Sequence, residues 1–248
     1  MRATARPAAR RAEPFPGNSH LRPIALDKVG TFLLLAPVLL FSIIAHEYAH
    51  GYAALKQGDA TAYQLGRLTW NPIKHIDPFM SILLPILTYY IGGFMFGGAK
   101  PVPVNPRNYR NFKRGDIIVS LAGVAVNFVI ALVCIALVVI IGMVGQRTQQ
   151  PVPELVLLQT MMLYGVMINI ILAIFNLVPI PPLDGSHVLK YLLPPAWALQ
   201  YQRAGRYGII IVFAVLLFAP GLVFAPIGLV SRVALGSWVQ PFILHGGF

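Results

Sequence analysis

His46, Glu47 and His50 stand within one turn of the apolar stretch FSIIAHEYAHGYAAL, residues 41 to 55. Histidines four apart on a helix share a face one turn apart, so both rings can grip one metal ion while Glu47 sits beside the open coordination position. That arrangement suits zinc, with a glutamate that activates bound water. Glu47 is one of three glutamates in the chain. At bilayer depth it is costly without a cation or water nearby, and ionisable residues in a membrane span are functional candidates by default. The alternative, hydrogen-bonding glue between helices, suits a lone histidine better than three ionisable groups in one turn.

A catalytic zinc needs a third protein ligand. His20 and His245 lie near the ends of the chain, Asp27 and Asp59 flank the first apolar run, Asp116 opens the next, and His75, Asp77, Asp184 and His187 remain. Asp184 is the best placed, in FNLVPIPPLDGSHVL, where Pro179, Pro181 and Pro182 stop a helix and leave irregular backbone at the membrane edge. Such backbone is tolerated near lipid only when protein or a watery cavity surrounds it. On spacing alone Asp184 reads equally as a ligand or as the cap of the short helix SHVLKYLL.

The elements that must carry these residues belong in a bilayer. Of 248 residues, 57% are hydrophobic and 11% charged, whereas soluble domains are about a quarter charged. The net charge of +11 lies mostly between apolar runs, the pattern of topology-setting charge and not of a nucleic-acid binder. A single cysteine, Cys134, excludes a disulfide framework and a cysteine zinc site.

Residues 1 to 28 read as a disordered basic tail, residues 29 to 232 as one membrane-embedded domain, and residues 233 to 248 as a C-terminal tail. Runs over 29–55, 117–145, 155–178 and 207 to about 230 each reach the roughly 20 residues that cross a bilayer. A fifth, 79–96, is broken by Pro85 and Gly92-Gly93. The fold expected is an all-α polytopic membrane protein of about four transmembrane helices, with 79–96 as a re-entrant segment. Alternation over Ala62 to Thr69 predicts a small membrane-associated β-hairpin near 60–70, able to receive an extended substrate strand.

HEYAHG at 46–51, GRLTWNPIKHIDP at 66–78, AKPVPVNP at 99–106 and FNLVPIPPLDGSHVL at 175–189 together resemble the site-2 protease family of intramembrane zinc metallopeptidases, in its small bacterial and archaeal form. The resemblance implies His46, His50 and Asp184 as ligands of one Zn2+ per chain and Glu47 as the base. It implies that Asn176, eight residues before Asp184, helps hold substrate or the developing oxyanion; a bond to a neighbouring helix is the other reading. Asn127 falls in an AGP-type motif that here reads LAGVAVN, with Val124 in place of Pro, and the usual DPxGT reads DPFMS at 77–81. His75 and Asp77 read either as groups orienting the ligands or as loop caps. The connection QRTQQPVPE has no room for the PDZ domain that many relatives insert there.

The function implied is hydrolysis of a peptide bond within or near a transmembrane segment of a protein substrate, in the inner cell membrane, with no oligomeric state specified. The rival readings are a metal transporter or metal-binding membrane protein, and a family member that binds transmembrane segments without cutting them. Basic residues are dense at 97–116 and 179–206 and sparse at 146–154, which places Asp184 at the cytoplasmic edge. His46 and His50 reach that depth only if the first span runs inward. The tail, with six basic residues of its own, would then lie outside, against its charge.

Overall fold

The computed structural model describes residues 27–92, 95, 97–148 and 152–244. The basic tail up to residue 26 and the last four residues of the C-terminal tail lie outside the described residues.

Helix α1 (Lys28–Gln57) starts where the Asp27 carboxylate accepts from Gly30 N at 2.7 Å. It stops at Gly58, whose φ of 111° suits glycine. A short α2 (Thr61–Gln64) follows, then a loop, a π-helical turn (Pro78–Leu83) and α3 (Leu84–Gly92). Two long helices come next: α4 (Phe112–Gly145), capped by the Asn111 side chain on Arg114 N, and α5 (Pro153–Leu177), with proline in its first turn. The chain then runs through α6 (Gly185–Leu189), α7 (Pro195–Ala204), α8 (Gly208–Phe218) and α9 (Gly221–Ala234). Among the described residues, four helical stretches are long and apolar enough to cross a bilayer: Lys28–Gln57, Phe112–Gly145, Pro153–Leu177 and the α7–α8 stretch Pro195–Phe218. The expected all-α architecture of about four long apolar helices is therefore present.

Helices α1, α4 and α5 form the core as an antiparallel set. His50 meets Val119 and His46 meets Asn127 between α1 and α4. Asn127 meets Asn169, and Gln159 donates to Val138 O, between α4 and α5. Residue numbers rise on α4 as they fall on both neighbours, so α1 and α5 run the same way. Gly165 lets α5 approach until an added Cβ would lie 2.7 Å from Cys134 Sγ. The cysteine is a buried space-filler between the helices.

Two expectations need correction. Among the described residues there is no strand, so the β-hairpin near 60–70 is absent. Asp59 accepts from Thr61 N at 3.1 Å, which starts a helical turn, and Ala62 O then accepts from both Arg67 N and Leu68 N. These local bonds take up the donors that a strand ladder would need. The run over 207–230 is not one continuous helix either, because Ala219-Pro220 separates α8 from α9. The two still follow the core from end to end. Gly208 abuts Pro181 near Asp184, and beyond α9 the chain packs Phe242 on Gly142 at the far end of α4. Of α8 only Gly208 is buried; Ile209, Ile210, Phe213, Leu217 and Phe218 are exposed, as a lipid-facing helix requires. Over 79–96 the described residues form short helices, which by themselves do not establish a re-entrant dip.

Candidate metal centre

His46 and His50 project from one face of α1 toward α4. His46 Nδ1 lies 2.6 Å from Asn127 Oδ1, and His50 Nδ1 lies 2.7 Å from Val119 O. Both partners are acceptors, so each Nδ1 carries the proton and donates it. Asn127 is held in that orientation because its own Nδ2 donates to Asn169 Oδ1 at 2.8 Å. Asn169 Nδ2 in turn donates to Ser42 Oγ and Gly165 O, and Ser42 Oγ to Val38 O. Ser42, Asn127 and Asn169 are fully buried. The chain of bonds thus sets the imidazole tautomers as metal ligation requires.

With Nδ1 protonated, each neutral ring presents a lone pair at Nε2. The two Nε2 atoms are 2.9 Å apart, and Asp184 Oδ2 lies 3.2 Å from one and 3.4 Å from the other. Asp184 Oδ2 is buried without a hydrogen-bond donor. Two lone pairs and an anionic oxygen converging in this way repel one another unless a cation sits among them. A proton on one ring relieves part of that repulsion; a divalent ion relieves all of it. His46, His50 and Asp184 are the group among the described residues whose ligand atoms could hold a metal. Gly123, on α4 between Val119 and Asn127, lets the two rings pack this closely against the helix. A Cβ there would fall 2.5 Å from His50 Nε2 and 2.6 Å from His46 Nε2. The residues present therefore fit a bound metal.

Asp184 is brought in by the sharp turn after α5. Gly185 packs so closely on the Leu177 and Val178 carbonyls that a Cβ would collide with backbone. The carboxylate caps nothing on α6, so of its two readings the geometry favours the metal-facing one. Glu47, next to His46, accepts from Val102 N at 2.7 Å through Oε2. The loop 99–106 is thereby laid against α1, with Arg67 Nη2 on Lys100 O at 3.1 Å. Asn176 is not drawn into the cluster: its amide donates to Leu172 O on its own helix at 2.9 Å.

The other ligand candidates have local tasks. Asp27 caps α1, and Asp77 caps the π-helical turn by accepting from Phe79 N and Met80 N. His75, fully buried, lies 2.8 Å from Thr69 O. Asp59 is buried at the end of α1 and accepts from Asn105 N at 2.6 Å, from Thr61 and from Asn108 Nδ2. Burial alone would raise its pKa, but these donors together hold it below the ordinary value. Asp116 takes Lys190, His187 and Tyr191. His20 and His245 lie outside the described residues.

Val119, Gly123, Ser42 and Asn169 are the parts that sequence reasoning missed. Ser42 and Asn169 left a usable signal, polar side chains inside apolar runs. A backbone carbonyl and a glycine left none.

Comparison with known proteins shows the family. The family model described as peptidase family M50 matches residues 34–219. A protein of Bacillus subtilis named "Putative zinc metalloprotease YwhC" is 38% identical over 192 residues, covering 76% of this chain and 83% of that protein. "Putative zinc metalloprotease Rip2" of Mycolicibacterium smegmatis is 33% identical over 202 residues, covering 82% of this chain and 72% of that protein. No solved structure matches significantly. With the match spanning the three core helices and the Asp184 turn, the chain belongs to peptidase family M50, the site-2 protease family.

Proposed function

We propose that the chain is an intramembrane zinc metalloendopeptidase, in which His46, His50 and Asp184 hold one Zn2+ and Glu47 is the base. The substrate is a membrane protein, cut within or near a transmembrane segment. The observation that carries this reading is the convergence of two oriented Nε2 atoms and Asp184 Oδ2, with Glu47 following His46 on the same turn of α1. Two nitrogens and one oxygen form a donor set that zinc accepts, with a fourth position left for water or substrate.

When bound, zinc polarises the scissile carbonyl and acidifies the attacking water. The chain's own residues do the rest. Val102 N–H holds Glu47 Oε2, which leaves the other carboxylate oxygen to take the proton and pass it to the departing amine nitrogen. Asn176 is the donor for the developing oxyanion. One N–H of its amide serves Leu172 O, and the second is the one that would supply that bond. A substrate helix must unwind first, since an intact helix shields its carbonyls.

A transporter would repeat ligands along a polar route, whereas the described residues gather them at one place. A member that only binds transmembrane segments needs no base, and Glu47 keeps one carboxylate oxygen beyond the bond that holds Val102 N. In our reading α1 and α5 run inward and α4 outward, so the site opens toward the cytoplasmic edge of the inner cell membrane and the basic tail lies outside. The segment 79–96 then dips in and returns. Supporting this, Lys100 N donates to His75 O and Gly98 N to Met80 O, so the chain returns to where it left.

The test pairs metal analysis with cleavage of a panel of single-span substrates in vesicles. Asp184→Ala should lose both zinc and cleavage, while Asp77→Ala keeps its zinc. Zinc retained in the first and lost in the second would move the third ligand to the 77–81 loop.

A further inference from the structure

Asp116 lies in the first turns of α4, 2% exposed, at a depth where a bare carboxylate would be expelled or protonated. Its partners all come from one short stretch of chain: Lys190 Nζ at 2.5 Å, Tyr191 OH at 3.0 Å and His187 Nδ1 at 3.1 Å. That stretch begins three residues after Asp184. Helix α6 has five residues, too few to be stable by its own hydrogen bonds, and Asp184 makes no cap bond to hold itself in place. On the approach side the turn is tied by Tyr201 OH on Pro179 O at 3.0 Å. On the far side the tie is Asp116.

The same face of α4 carries Val119 and Asn127, which orient His50 and His46, and Gly123, which lets both rings pack closely against the helix. One helix therefore serves as a common base plate. It fixes two ligands directly, and through Asp116 it holds the segment that bears the third.

We infer that Asp116 is a positioning residue for Asp184: with Lys190, His187 and Tyr191 it clamps the turn after α5 onto α4, so that the carboxylate arrives at the two histidines in register. The inference rests on the proposed metal site. It predicts that loosening the clamp weakens metal binding through Asp184 alone.

The test uses the purified full-length protein, with zinc affinity measured by chelator competition and the site's geometry by cobalt absorption. Asp116→Ala opens the clamp from α4. Lys190→Met combined with His187→Ala and Tyr191→Phe opens it from the other side and leaves the buried helix untouched, so a folding defect in the first variant does not decide the result. Each should bind zinc about 10- to 100-fold more weakly and shift the cobalt spectrum toward that of Asp184→Ala. Adding Asp116→Ala to Asp184→Ala should cost no further affinity, because the residue acts only through that ligand. Wild-type affinity in both clamp variants, or losses that multiply in the double variant, would overturn the inference while the ligand assignment stands. Asp184→Ala retaining wild-type affinity would overturn the ligand assignment itself, and the clamp with it.

Discussion

Gly123 separates geometry from ligand chemistry, because it lies beneath the cluster without being a ligand. An added methyl would sit 2.5 to 2.6 Å from both Nε2 atoms and 2.5 Å from His46 Cε1, so both rings would have to leave the positions from which they share one ion. Gly123→Ala should therefore abolish zinc binding with every ligand still present, as metal analysis of the folded variant would show; stoichiometric zinc would refute the placement of the ion. His46, Glu47 and His50 were legible because helical periodicity alone puts residues four apart on one face. Asp184 was ambiguous on spacing alone, since a short acidic side chain before a helix serves equally as cap or ligand. What separated the two was its orientation, which depends on the Gly185 turn and the distant α4. Asn176 is legible as a motif position, yet its side chain bonds its own helix.

Helix ends were easier to anticipate than short connections. Long apolar runs must be helical in a bilayer, where every backbone group needs an internal partner. The stretch around 60–70 sits where local bonds compete, and there alternation misled. Asp59 gathers Asn105 N, Asn108 Nδ2 and Thr61, fastening α2 and the loop before α4 to the end of α1. Its lowered pKa fixes the sign of a pH effect. A carboxylate more acidic in the folded state stabilises above its unfolded pKa of about 3.9, and that stabilisation disappears as pH falls through the folded value. Asp59→Ala should cost about 1–3 kcal/mol at neutral pH, the usual range for leaving buried donors unpaired. Thermal melts in detergent should show the gap from wild type closing on acidification toward that range. A gap that stays constant down to acidic pH would contradict the charged cap.

The path of the whole chain is where charge counting and metal geometry disagreed. Six basic residues in the tail favour a cytoplasmic N-terminus statistically, while shared ligation requires α1 to run the same way as α5. The core does pair α1 and α5 in parallel against α4. The side of the membrane on which each end lies follows from the basic segment before α4. With Cys134 replaced, single cysteines at Ser19 and Thr148 should react with an impermeant reagent added outside intact cells, and one at Lys113 should not. Protection at Ser19 with labelling at Thr148 would rule out the inward α1. The central claim, that this cluster cuts peptide bonds with Glu47 as the base, is tested most directly by comparing wild type with Glu47→Gln on single-span substrates in vesicles while measuring zinc in both. The account predicts equal zinc and no cleavage by Glu47→Gln; cleavage at the wild-type rate by the zinc-loaded variant would contradict it.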